Sequence, residues 1–272
     1  MIRVHGRRLE SRRGAVWRTT AVAVLMCVSG CTAMHDGVQL AKDAFDPGVP
    51  GPKPMTADAA AQLNDTQIEQ RLQFVTQRLD DTELHAALWY YGFLAVNAGG
   101  MIAGAATAAV ETDEDSKIYD ILNSSLGLIG TGYLLAAPLP GRSGSDPVTE
   151  MPFATHEQRA AQLAEAETIL YGAAGRARQR TGWLLHVGNV ALNAAAASVL
   201  LARESYGNAA LLFFVNTAIG EGQILLTPWE PETNWQEYQD FVSRGGVAAA
   251  VPVRWGLSPM TGGKGLALHV AF

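Results

Sequence analysis

The stretch IGTGYLLAAP, Ile129 to Pro138, returns as IGEGQILLTP, Ile219 to Pro228, 90 residues later. Ile, both Gly, one Leu and the closing Pro recur in register, and Leu134 is matched by Ile224. Self-similarity at a fixed offset constrains the fold more than any single motif, because both copies must build the same local structure. Each copy closes a pair of long apolar segments, so the chain reads as one helical unit, duplicated.

The units can be followed residue by residue. The first opens at Thr66-Gln67-Ile68-Glu69, the T-x-x-E pattern in which two side chains satisfy free N–H groups at a helix start. Ile68, Leu72, Val75 and Leu79 follow at helical spacing and make one apolar stripe. Leu88 to Val110 is then uncharged for 23 residues and carries Gly100-x-x-x-Gly104, a spacing that lets helix backbones touch. The acidic link Glu111 to Lys117 leads to Ile118–Pro140, stopped by its prolines. The second unit opens at Thr155-His156-Glu157-Gln158, and Glu69-Gln70-Arg71 recurs as Glu157-Gln158-Arg159. Its stripe is Leu163, Ala166, Leu170, Ala173 and Ala177. Gly182 to Ala202 is again uncharged, with Trp183 answering Trp89, and a second apolar segment follows the link Arg203 to Tyr206.

The expectation is therefore a mainly α protein. Two copies of an amphipathic helix plus an apolar helical hairpin, 65–141 and 153–230, would form a six-helix bundle. Residues 231–246 read as a short acidic helix or loop. Over 247–272 the period changes: Val251–Trp255 and Gly265–Phe272 alternate like strands, predicting a small β-hairpin that covers the bundle. A final alternating strand ending in Phe is also a feature of outer-membrane barrels, but no upstream strands exist to close one.

The N-terminus reads as an address. Six arginines precede the apolar run AVAVLMCVSG, which is too short to span comfortably. The run ends Val28-Ser29-Gly30-Cys31, which resembles the lipobox of bacterial lipoproteins. The resemblance covers only the targeting segment. It implies a signal peptide over 1–30, cleavage before Cys31, a diacylglycerol thioether on its sulfur and acylation (palmitate among such chains) of the new amino group. Two or more chains anchor a protein stably where one does not. Cys27 would leave with the signal peptide. Thr32 stands where such lipoproteins carry Asp when kept at the inner membrane, so the address implied is the cell envelope, on the periplasmic face of the outer membrane. Ser11-Arg12-Arg13 is also similar to a twin-arginine export signal, but Ala15 replaces the bulky residue expected there. Residues 31–64 form a tether, with four prolines and two glycines between Asp46 and Pro54.

Charge and chemistry narrow the function. The first thirty residues carry a net +5 within a formal −6, so the rest stands at −11, a poor balance for binding nucleic acid. With only Cys27 and Cys31 in the chain, the body has neither a disulfide framework nor a cysteine zinc site. The histidines lack metal-ligand spacing, and no nucleophile elbow, phosphate loop or dinucleotide fingerprint occurs. No metal, no cofactor and no enzyme activity are expected. Glu221 is the most conspicuous charge, flanked by Gly220 and Gly222 where Thr131 stands in the first copy. It reads as an ion or ligand contact, or more simply as a carboxylate paired with His186. Asn97, Asn123, Asn189, Asn193 and Asn216 suit hydrogen bonding between helices.

Two arrangements of the four apolar segments fit. They are long enough to span a bilayer. With Cys31 outside the cytoplasm, however, the link 111–117 at net −3 would be cytoplasmic and Arg176, Arg178 and Arg180 external, against the positive-inside rule. Charges such as Asp120, His186 and Glu221 would cost about 2.5–3.5 kcal/mol each at mid-bilayer. Alternatively the segments are the core of a soluble bundle. The functional expectation is a lipid-anchored envelope protein with a structural or interaction role and a protein partner. An accessory component of an envelope transporter or channel, and a lipid-handling protein with an apolar pocket between the repeats, are the alternatives.

Overall fold

A computed structural model describes residues 49–245 and the backbone of 254–259 and 266–271. The expected signal peptide, Cys31 and the first part of the expected tether lie outside the described residues. The protein is mainly helical. Its long helices are α1 (Asp65–Val110), α2 (Glu114–Ala136), α3 (His156–Arg180), α4 (Trp183–Leu201), α5 (Tyr206–Leu225) and α6 (Glu230–Ser243). Beyond them Arg254–Pro259 pairs antiparallel with Leu266–Ala271, Arg254 opposite Ala271.

Helix α1 departs from expectation at its start and in its length. Its cap is Asn64, not Thr66. The Asn64 side chain accepts from the Gln67 N–H at 2.9 Å, and Gln67 accepts from the Asn64 N–H at 3.1 Å. Asn is at least as good an N-cap as Thr, and it comes two residues sooner. The stripe and the uncharged segment, expected as separate helices, form one continuous helix of 46 residues. Asp80 to Ala87 holds neither Gly nor Pro, so nothing stops it. In the second unit α3 ends at Arg180, and Gly182 is the N-cap of α4. Thr155 caps α3 with Gln158 as expected.

The helical body is built on the two stripes. Val75 and Leu79 of α1 meet Ala166, Leu170 and Ala174 of α3, and all are buried. Burying each Leu fully stabilises by roughly 1.5–3 kcal/mol. The third wall is α6. Its carboxylates Glu230, Glu232, Glu237 and Asp240 gave the segment an acidic reading, yet Trp235, Tyr238 and Phe241, three residues apart, lie in the same cluster. Phe74 stacks on Phe241 at 4.8 Å.

The second half of the expected tether belongs to this body. Val49 is in the core, the Gln239 amide donates to the Pro50 carbonyl at 2.9 Å, and Ala60 is buried against Ile68, Ala160 and Leu163. Glu167, buried in α3, accepts from the Met55 N–H at 2.8 Å and from the Tyr238 hydroxyl. Burial pushes the Glu167 carboxyl above its usual range despite these donors, and burial beside that carboxylate raises Tyr238 as well.

Beyond the body, the second half of α1 packs on α2, α4 packs on α5, and α2 meets α5 and α4. Glycine sets the α1–α2 spacing. A Cβ on Gly104 would lie 2.7 Å from the Asp120 carbonyl oxygen, and one on Gly127 would lie 2.7 Å from the Asn97 oxygen. Gly100, the other member of the expected contact motif, faces open space. At the far end Ala197, Leu200, Ala209 and Leu212 pack with Ile118, Leu122 and Leu126. There Arg203 holds Asp115 at 2.8 Å and Glu114 at 3.2 Å, joining the turns of the two hairpins.

Candidate membrane interface

The four helices of the hairpins turn large apolar side chains outward. Val96, Ile102 and Val110 on α1, Leu128 and Leu135 on α2, Val187, Val190 and Leu192 on α4, and Leu211, Phe214, Val215 and Leu225 on α5 are all exposed. Three stretches, within 65–110, 183–201 and 206–243, are long and apolar enough to cross a membrane, and only 11%, 17% and 17% of them is buried. Apolar surface of this extent facing outward is the kind that marks an interaction or membrane surface. At 19 and 20 residues, α4 and α5 are about 28 and 30 Å long, close to the hydrocarbon thickness. Helix α2 is not one of the three. Its Asp120, Asn123, Ser124 and Ser125 make it more polar, and it lies between α1 and the second hairpin.

Where these helices leave the body, aromatic and basic side chains collect. Trp89, Tyr90 and Tyr91 on α1, Tyr133 on α2, Trp183 on α4 and Trp229 after α5 stand at this level, as amphipathic rings do at a membrane–water boundary. The Trp89 indole donates to the Gln223 carbonyl at 2.9 Å, tying the first hairpin to the second. Arg180, the last residue of α3, is only 3% exposed. Its guanidinium lies over Trp89 at 4.6 Å and Tyr133 at 5.1 Å and donates to the Ala137 carbonyl at the end of α2. Nε and Nη1 have no acceptor, and among the described residues no carboxylate pairs with it. Burial draws its pKa down from the arginine range, yet a guanidinium does not deprotonate in a protein and the charge remains. The two rings and the carbonyl end of α2 compensate it only in part. Nearby, His85 donates to Glu230 at 2.8 Å, which raises the imidazole's pKa.

Glu221 and His186, 35 residues apart in sequence, are brought together. His186 Nδ1–H donates to one carboxylate oxygen of Glu221, and the Asn189 amide donates to the other at 2.9 Å. Asn189 also donates to the Thr217 carbonyl at 3.0 Å, and Asn193 donates to the Asn189 side-chain oxygen at 2.9 Å. Both carboxylate oxygens thus have donors within the hairpin. Glu221 lies four residues from the end of α5 and His186 three from the start of α4, about 5–6 Å along each axis. The pair is therefore near the body end of the hairpin, with side chains 27% and 34% exposed. Of the other asparagines, Asn216 donates to Asn123 at 3.1 Å between α5 and α2, and Asn97 donates within α1 to the Phe93 carbonyl.

No group of metal-ligating side chains occurs among the described residues. The sequence reading missed Arg180, Glu167 and Tyr238. Arg180 was visible only as one of three alternating arginines, and nothing local marks Glu167 as the buried member of its helix. No family model, curated protein or solved structure matches the chain.

Proposed function

We propose that the chain is a lipid-anchored protein of the bacterial cell envelope with a structural or interaction role. Cys31 and the apolar hairpins would hold it in the membrane, and the helical body would stand at the surface to meet a protein partner. The observation that carries this reading is the outward-facing apolar surface of the hairpins, which water would not tolerate at this extent. The architecture proposed with it is a six-helix bundle of two related units, with the C-terminal strand pair as its cover. In support of the duplication, Asn97 packs against Gly130 in the first hairpin and Asn189 against Gly220 in the second. Those glycines belong to the two copies of the recurring decapeptide.

A second reading, an accessory component of a transporter or channel, draws on the chain of polar groups running inward from Glu221 through Asn189 to the buried Asn193. The engaged carboxylate favours the structural reading over it. Carbonate extraction of membranes carrying the Cys31→Ser variant is the test. The variant is expected to remain in the pellet, because the hairpins hold it without the lipid. Release into the supernatant would show that the hairpins are not embedded.

A further inference from the structure

We propose that Arg142 and Arg176, with Arg180 behind them, form a site for the phosphate of an anionic membrane phospholipid, whose headgroup carries no compensating cation, at the junction of body and hairpins. This rests on the membrane reading above.

Arg142 belongs to the turn Pro140–Ser143 that follows α2, and Arg176 stands one helical turn before Arg180. Ala173 lies 3.7 Å from where a Cβ on Gly141 would sit, and Pro140 lies 3.7 Å from that point on Gly172, so this turn rests on the last part of α3. The Arg142 guanidinium covers Tyr90 at 5.1 Å, next in sequence to Trp89, over which Arg180 lies. Arg176 and Arg180, four residues apart on α3, share one helix face. Among the described residues, Arg142 donates to the Leu139 carbonyl at 2.9 Å and Arg176 to the Gln179 side chain at 3.4 Å. Of the other described arginines, Arg78, Arg159, Arg178, Arg203 and Arg244 are paired with carboxylates, and Arg71 stands by Glu167 and Tyr238.

Like charges do not gather unpaired unless something compensates them. Arg180 presses this hardest, being buried with two nitrogens lacking an acceptor. Arg142 and Arg176 remain half-exposed and free to reach outward. The site lies at the depth where the aromatic residues mark the boundary of the apolar helices, which is where headgroup phosphates lie. Planar guanidinium forks suit phosphate oxygens. Arg180 does not touch the ligand; its uncompensated charge strengthens the attraction of the other two.

Flotation of the purified full chain tests this with vesicles of phosphatidylcholine alone, of equal parts phosphatidylcholine and phosphatidylglycerol, and of the mixture with inorganic phosphate added. The wild type is expected to float with all three and to favour the mixture. The double variant Arg142→Gln/Arg176→Gln is expected to float with phosphatidylcholine as before and to lose about thirtyfold of the preference. The control Arg159→Gln/Arg244→Gln removes the same charge from paired sites and should keep it. Equal loss in both variants would show diffuse attraction and overturn the site. Abolition by inorganic phosphate would assign the site to the free ion and overturn the lipid source. A wild type that floats with none of the vesicles would refute the membrane reading itself.

Discussion

Replacing Gly104 and Gly100 separately by alanine probes the packing of the first hairpin, because the sequence presents them as one motif and the structure separates them. The new Cβ at Gly104 would sit 2.7 Å from the Asp120 carbonyl oxygen and 2.9 Å from the Ser124 nitrogen. Both are backbone atoms of α2, so relief requires moving a helix rather than rotating a side chain. Overpacking of this kind costs about 1–3 kcal/mol, and rigid neighbours place it near the upper end. Alanine in place of glycine returns about 1 kcal/mol of helix propensity. The net loss is about 2 kcal/mol, and the Ser124 hydroxyl bond to the Met101 carbonyl, 2.8 Å long, is strained with it. At Gly100 nothing lies within 4 Å, so only the propensity gain of about 1 kcal/mol applies. For a domain of this size the midpoint of thermal unfolding should fall by about 4–8 °C for Gly104→Ala and rise by about 2–4 °C for Gly100→Ala. Far-UV circular dichroism in detergent micelles reads both. Equal shifts, or a larger loss at Gly100, would refute the assignment of the close contact to Gly104.

Glu221→Gln keeps an acceptor for the Asn189 amide and should leave thermal stability and any envelope phenotype close to wild type; a stable variant with a knockout-like phenotype would move the transport reading ahead. Glu167→Gln should reveal a pH dependence. The folded-state pKa of Glu167 is raised, so its contribution is fully present below the unfolded carboxyl's range and is lost as pH rises through the folded value. Urea midpoints of the wild type should accordingly decline relative to the Gln variant from acid to neutral pH, and parallel profiles would contradict the assignment.

How far the sequence revealed the fold depended on whether the signal was local. Of the stripes, Ile68, Val75, Leu79, Leu163, Ala166 and Leu170 are buried and Leu72 half-buried, because helical periodicity is a property of neighbouring residues. The junction between stripe and apolar segment was not legible in the first unit, since continuity across Asp80–Ala87 follows from the absence of a breaker rather than from any signal. Helix α6 misled because its carboxylates outnumber its aromatics in composition, while only position decides which face Trp235, Tyr238 and Phe241 share. The pairing of His186 with Glu221 could be suggested from the hairpin, as the two lie at matching distances from its turn. Arg180 could not, because its surroundings come from α1, α2 and the end of α3 at once. Which way the apolar faces of the hairpins point was not legible either, because a composition that suits both a span and a soluble core does not contain that.

On the proposed membrane reading, two sequence signals conflict over which way the hairpins point. The lipobox resemblance puts the body outside the cytoplasm, whereas the net −3 of residues 111–117 is wrong for cytoplasmic turns. The structure sharpens the conflict, because Arg203 is held by Glu114 and Asp115 and the joined turns form one acidic tip. The conflict disappears at the proposed outer-membrane address. Neither side of that membrane is cytoplasm, so the rule that places Lys and Arg in cytoplasmic loops has no purchase on it, and an acidic tip can face the cell exterior. Cysteine labelling tests this cleanly, since Cys31 would be lipidated and Cys27 removed, leaving a body with no other thiol. Thr112→Cys places a thiol at the exposed tip and Ser243→Cys one at the exposed end of α6. A membrane-impermeant maleimide on intact cells should label Thr112→Cys and spare Ser243→Cys, which should react only once the outer membrane is opened. Labelling of Thr112→Cys only after the inner membrane is breached would place the hairpins in the cytoplasmic membrane. Protection of Ser243→Cys until that same point would put the body in the cytoplasm and refute the lipobox reading of Val28–Cys31.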